Sequence, residues 1–166
     1  MAGRLQQELK QTKAIASLEE ESLLNIVRTA DALMLSVTAS LKPNQLSPTQ
    51  YNVLRILRGA GEAGVSCKDI AARLVARDPD ITRLMDRLEQ RGLIVRDRAR
   101  EDRRIVIHRL TKPGNELVNE LDRPIAALNK AIMSGIKADK LRQLVDVLEQ
   151  VRANLEHSHL QKEPTI

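Results

Sequence analysis

Arginines carry the chemistry this sequence can do. Arg83, Arg87 and Arg91 recur at every fourth position, and Arg96, Arg98, Arg100, Arg103, Arg104 and Arg109 follow closely. A guanidinium is a planar, permanently charged fork that fits phosphate oxygens or base edges. The chemistry on offer is anion recognition. Bond-making residues are poorly placed by comparison. Asp97 and Asp102 sit among the arginines and read as charge partners, not as an acid–base dyad. His108 stands alone, while His157 and His159 are two apart and would point in different directions on a helix. The sequence has no phosphate-binding Gly-rich loop, no nucleophile elbow and no His-Glu-x-x-His. No catalytic set, metal site or cofactor is expected. Cys67, the single cysteine, falls in a first helical turn where the dipole favours a thiolate. It reads as a small apolar residue, as free cysteines often are.

Three elements must position the arginines. The residues from Pro79 to Arg91 form a helix in which Asp78 is the expected cap, Pro79 suits the first position and Gly92 the position past the end. Ile81, Leu84, Met85 and Leu88 share one face. Thr82, Arg83, Asp86, Arg87 and Gln90 share the other, with Pro79 at its start. Ahead of it, Ser66 and Asp69 make a capping box for a helix reaching Leu74. Its Ile70, Ala71 and Leu74 face a neighbour, and small Ala71 and Ala72 allow a close approach. Behind it, Leu93 to Arg98 and Arg104 to Leu110 read as a hairpin whose polar tip is Ala99 to Arg103. A charge run is usually a solvated face. Here it continues from a helix onto a hairpin and is almost all Arg, which favours a nucleic-acid partner.

The flanking segments read as helices. Ser17 and Glu20 start one whose Leu23, Val27, Ala30, Met34, Val37 and Leu41 form a seam of 3.5-residue spacing. This seam suits either a buried core helix or a subunit contact, with Leu24, Leu33 and Leu35 widening it. Pro43 ends the helix. Ser47-Pro48-Thr49-Gln50 opens the next, which Gly59 and Gly61 close. Tyr51, the only aromatic residue, falls on its inward face and is assigned to core packing ahead of ligand stacking. Thr111 and Pro113 open a helix with Leu117, Leu121, Ile125, Leu128 and Ile132 as its stripe. Pro124 should kink or briefly break it. A last helix carries Leu141, Leu144, Val145, Leu148, Val151 and Leu155. Residues 1–16 read as an arm or helix extension, and 157–166 as a frayed tail.

Several of these blocks occur together in one known family. Asp80-Ile81-Thr82-Arg83-Leu84-Met85-Asp86-Arg87-Leu88-Glu89, then Gly92-Leu93-Ile94, Asp102-Arg103-Arg104, Leu110-Thr111 and Gly114 resemble the MarR family of bacterial transcription regulators. The likeness is detailed from about Leu46 to Gly114 and looser in the flanking helices. It implies a mainly α fold with a small β-hairpin wing: a winged helix-turn-helix over residues 17–156. The DNA-binding lobe would span about 46–111, and dimerisation helices about 17–41 and 112–156. It implies a homodimeric, sequence-specific regulator of double-stranded DNA, a repressor at a pseudo-palindromic operator. It places Pro79, Asp80, Thr82, Arg83, Arg87, Arg103 and Arg104 at the DNA, with Asp102 steadying the wing. Many members of the family also take a small-molecule effector between the dimerisation and DNA-binding parts. The residues here carry no signature of one. Asp80 departs from the family, which often has a small hydroxylated residue there. An acid beside phosphates calls for a neighbour such as Arg77 or Arg83.

Composition agrees with these expectations. Net charge is +5 with pI ≈ 9.7, which suits a polyanionic partner. At 166 residues the chain suggests one domain, and with aromatics at 1% its core must be aliphatic. It shows no secretion signal and no run apolar enough for a membrane, so the cytoplasm is expected. The rival expectation is a winged-helix protein–protein interaction module without operator binding. Asp80 and Asp86 leave room for it, and the Arg-rich helix and wing argue against it.

Overall fold

The computed structural model describes residues 4–76, 78–98 and 104–160, with side chains to residue 157. In chain order its elements are α1 (Arg4–Glu8), α2 (Leu18–Leu41), α3 (Pro48–Ala60), β1 (Val65–Ser66), α4 (Cys67–Arg73), α5 (Ile81–Gln90), β2 (Ile94–Arg98), β3 (Val106–Leu110), α6 (Lys112–Ile132) and α7 (Ala138–Leu160). The chain separates into two compact units, Met1–Ala126 and Ala127–Ile166. It is a mainly α winged helix-turn-helix, with α4 and α5 as the helix pair and β2–β3 as the wing.

The starts of α2, α3, α4 and α6 follow the sequence. Ser47 Oγ accepts from the Gln50 amide at 3.1 Å, and the Gln50 side chain accepts from the Ser47 amide at 2.9 Å. The capping box at α3 is therefore complete. At α2, Ser17 Oγ accepts from the Glu20 amide, but the Glu20 carboxylate reaches back to the amide of Ala16. Ser66 likewise caps α4 through the Asp69 amide, while its hydroxyl donates to the Asp69 carboxylate. Thr111 Oγ1 accepts from the Gly114 amide at the start of α6.

The core of the first unit is aliphatic apart from Tyr51. It gathers Leu41 of α2, the inward residues of α3, Ile70 of α4, Leu84, Met85 and Leu88 of α5, Leu93 and Ile94 at the wing, and Val118, Leu121 and Ile125 of α6. Leu54, Leu57, Ile70 and Leu88 are fully buried. Every one of these side chains contributes on the order of 1.5–3 kcal/mol by leaving water.

Four expectations need correction. Gly59 lies inside α3, and Gly61 alone caps its end, at φ +58°. Ala71 and Ala72 are exposed and serve no close helix contact within the chain; Ile70 alone on α4 is buried. Of the kink or brief break expected at Pro124, the break does not occur: α6 runs on through it. Leu121 and Ile125, both buried, anchor the helix on either side of the lost hydrogen bond. Finally, α7 runs to Leu160, past the expected fraying point at residue 157.

The seam on α2 is the largest surprise. Only Leu41 of this helix is buried, and Leu23, Val27, Met34 and Leu35 are 45–67% exposed. The buried-helix reading thus fails within one chain. In the second unit, no α7 side chain that is described is buried. Residues 1–16 contain the short α1, whose Leu5 is buried.

The wing gains a strand the sequence did not announce. β1 pairs antiparallel with β3, and β3 with β2, in the order β1-β3-β2. Val65 faces His108, and Ile94 faces Leu110 across the ladder. Gly64 permits this closeness. At φ +67° it lies beside Ile107 and the carbonyl of His108, where a Cβ would not fit.

Candidate nucleic-acid interface

Helix α5 is built to show one face. Leu84, Met85 and Leu88 go into the core, while Thr82, Arg83, Arg87 and Gln90 are exposed. Gly92, at φ +68°, ends it and turns the chain into β2. The expected cap is corrected here. Asp80, not Asp78, is the cap of α5: its Oδ1 accepts from the Arg83 amide at 3.3 Å. Asp78 supports it from outside, its Oδ1 accepting from the Asp80 amide at 2.9 Å. Pro79 therefore lies in the entry turn, exposed, and the helix starts two residues later than the sequence suggested. Two carboxylates in three residues made the choice ambiguous.

Asp80 also answers the question its charge raised. Its Oδ2 lies 3.2 Å from Nε of Arg83. Arg77, the other suggested neighbour, lies outside the described residues. So do Arg100, Asp102 and Arg103. Arg104 is described: it is exposed in the turn that leads into β3.

The remaining arginines divide by partner. Arg96 on β2 reaches back to α5. Its Nη2 donates to the Asp86 carboxylate, and its Nε lies 3.0 Å from the Glu89 carboxylate. That second contact is an ion pair without hydrogen-bond alignment. Asp86 therefore faces the wing, not the groove. Arg109 on β3 donates to the Asp97 carboxylate at 2.6 Å and to the carbonyl of Glu62 at 2.6 Å. Arg91 donates to the carbonyls of Asn44 and Gln45. Arg58 grips Asp122 of α6 with both terminal amino groups at 2.7 and 2.9 Å. That grip holds the Asp122 carboxyl below its ordinary value. Arg87 and Arg98 are exposed and have no hydrogen bond or ion pair among the described residues.

Sequence reasoning missed several supports. Asn52 on α3 accepts from the Val75 amide at 2.8 Å, which fixes the stretch leading to α5. Ser47 and Gln50, read only as caps, line a polar concavity of about 280 Å³ with Asp78, Asp80, Arg83, Leu84 and Arg87. Thr111 donates to the carbonyl of Gly92 at 2.7 Å and ties the end of the wing to the end of α5. Each partner is distant in sequence, so spacing carried no signal for it.

His108 lies on β3 and Cys67 opens α4. His108 is buried, with Nδ1 3.4 Å from the carbonyl of Val65. Burial pushes its imidazole below the ordinary value, against the Val65 carbonyl and with the help of Arg96. Cys67 packs against the core, and burial pushes its thiol up against the pull of Arg96. Its place against the core fits the reading of the side chain as a small apolar residue. Tyr51 is buried with the Arg55 guanidinium 5.9 Å from its ring centroid. Among the described residues no group of three or more His, Cys, Asp or Glu side chains could hold a metal ion. None of the described helices is long and apolar enough to cross a membrane.

Such a face, an exposed polar helix side beside an Arg-bearing wing, can lie against a polyanion. The chain as a whole is similar to known proteins. The MarR family profile matches residues 46–106. The uncharacterized HTH-type transcriptional regulator YkoM of Bacillus subtilis (strain 168) is 30% identical over 144 residues, 84% of this chain and 92% of that protein. A MarR transcription factor from Planctomyces limnophilus is 36% identical, with a TM-score of 0.63 over 82% of this chain and 98% of that one. CouR is similar in two states. Bound to p-coumaroyl-CoA, the Rhodococcus jostii RHA1 protein is 28% identical, with a TM-score of 0.71 over 82% of this chain and 95% of its own. Bound to a 23-mer DNA duplex, CouR is 25% identical, with a TM-score of 0.71 over 84% and 99%.

Proposed function

This chain belongs to the MarR family of transcriptional regulators, and from that premise we propose that it is a homodimeric repressor binding a pseudo-palindromic operator in double-stranded DNA. One observation carries the reading. The face of α5 that holds Thr82, Arg83 and Arg87 is exposed while the opposite face is locked in the core. A rigid helix with a free polar side fits the major groove. Arg87 has no partner among the described residues and is suited to phosphate, with release of counterions. Pro79 and Asp80 enter the groove edge at the start of α5. Arg104, with Arg103, reaches the flanking minor groove, and Asp102 steadies the hairpin. CouR bound to a DNA duplex supports this mode.

Residues 46–111 act as the DNA-binding lobe, and about 17–41 and 112–156 as dimerisation helices. The apolar residues left open on α2 and on α7 support that assignment. The protein works in the cytoplasm, where its DNA lies, and performs no catalysis. An apolar cleft of about 200 Å³, lined in part by Met34, Val37, Tyr51, Arg55 and Val75, gives a small-molecule effector room. It touches the stretch that Asn52 holds ahead of α5, so an occupant would act on the reading helix. CouR bound to p-coumaroyl-CoA supports an organic effector.

The test is fluorescence polarisation with duplexes from the region upstream of its own operon, against scrambled duplexes, over a range of salt. Tighter binding to one upstream duplex, with half-sites roughly 10 bp apart, is expected. Equal binding to both sets at every salt concentration would sink the operator reading.

A further inference from the structure

Asp80 and Arg83 form a unit whose chemistry differs from that of a bare arginine. The Asp80 carboxylate makes two contacts with one residue. Oδ1 accepts from the Arg83 backbone amide at 3.3 Å, and Oδ2 forms an ion pair with Arg83 Nε at 3.2 Å, without hydrogen-bond alignment. Asp78 fixes Asp80 in turn through its backbone amide. The Arg83 terminal amino groups have no partner among the described residues, and the side chain is 78% exposed. Asp86 cannot substitute for Asp80, because it is bound to Arg96.

Two consequences follow for what Arg83 can recognise. With an acid in contact with it, the pair carries no net formal charge. Phosphate neutralisation depends on net charge, so Arg83 gains little there. A guanine edge presents O6 and N7 as two directional acceptors, and a two-pronged donor reads them by geometry. That contact survives the loss of net charge and improves when the fork is held still.

We propose that Asp80 is a positioning residue that holds Arg83 at Nε and at its backbone amide, so that its two terminal amino groups read one guanine in each half-site. The inference rests on α5 being the helix that enters the major groove. It gives the two arginines of this face separate tasks: Arg83 reads a base, and Arg87 meets phosphate. It also explains why an acid stands at the DNA face of a basic protein.

Selection of binding sites from a pool of random-sequence duplexes, followed by sequencing, tests it with full-length wild type, Asp80→Asn and Arg83→Lys. Asn caps a helix as well as Asp does, so the fold and helix content should hold, as circular dichroism would verify. Wild type should select a guanine at one position of each half-site. Arg83→Lys should lose it, since an ammonium is not a planar fork. Asp80→Asn should lower the guanine-over-adenine preference about tenfold at that position alone. It should also bind non-specific duplex more tightly and with a steeper salt dependence, because the freed cation turns to phosphate. An Asp80→Asn protein with the wild-type guanine preference overturns the proposal while leaving the DNA reading intact. So does a loss spread evenly over all positions, which would mark general loosening. A wild-type protein that selects no sequence overturns the DNA reading and this proposal with it.

Discussion

Arg91, Arg96 and Arg109 commit their guanidinium groups to partners inside the chain, whereas Arg87 and Arg98 carry none among the described residues. The sequence displayed all five as one basic run. It could not sort them, because the sorting partners Asp86, Asp97 and the Asn44 carbonyl lie across the fold. Arg104 is exposed in the turn that leads into β3. A narrow minor groove concentrates negative potential and draws such a side chain in. Arg104→Ala should weaken operator binding by about 1–3 kcal/mol with helix content unchanged. Titration against duplexes with A·T-rich and G·C-rich flanks would measure it, and equal affinity to wild type on both would remove the wing from the interface. His108 sets a second expectation. Its imidazole is buried and its folded-state value is lowered from 6.5. Below about pH 6.5 the unfolded chain therefore binds more protons than the folded one, so stability falls as pH drops through that window. Urea midpoints for wild type should decline there more than those of His108→Gln. Parallel declines would place the acid sensitivity elsewhere.

Element ends were legible where one residue type had one candidate position. Ser47 with Gln50 and Gly92 behaved as their types require. Asp78 and Asp80 were competing caps, and the turn geometry chose the second. The two residues of β1 are too few for any periodicity, so that strand was invisible beforehand. The wing is joined to α5 by Arg96, which contacts Asp86 and Glu89 from β2. This pairing fixes the angle between the reading helix and the hairpin. Arg96→Met should cost about 1 kcal/mol of stability, as a partly exposed ion pair. Its effect on operator affinity should be larger than that if, as proposed, α5 and the wing both meet DNA, because Arg96 aligns the two. A variant whose affinity loss matches only its stability loss would mean the wing needs no such brace.

At the scale of the whole molecule, the heptad-like seam on α2 was readable, but its destination was not. An apolar stripe looks the same whether it packs on its own chain or on another. Val27 at 67% and Leu35 at 65% exposure place it outside the core. Light scattering at micromolar concentration should give a mass near twice 18.6 kDa. Val27→Asp should shift it towards that of one chain while leaving the lobe folded, because Val27 contributes nothing to the core. A wild-type mass near 18.6 kDa would rule the dimer out.

Arg91 sits just past the C-terminal end of α5 and clasps the carbonyls of Asn44 and Gln45, in the turn that closes α2. Leu41, at the end of α2, is fully buried. The far end of α5 is therefore a push-rod bolted to α2. A tilt of α2 should therefore arrive at α5 as displacement instead of being absorbed by a slack joint. Rods of this kind set a gauge, the fixed distance between two reading helices. On the proposed dimer, wild type should reject operators with one base pair inserted between half-sites, and Arg91→Ala should loosen the gauge so that they regain binding. Equal rejection by both proteins would show that the rod transmits nothing.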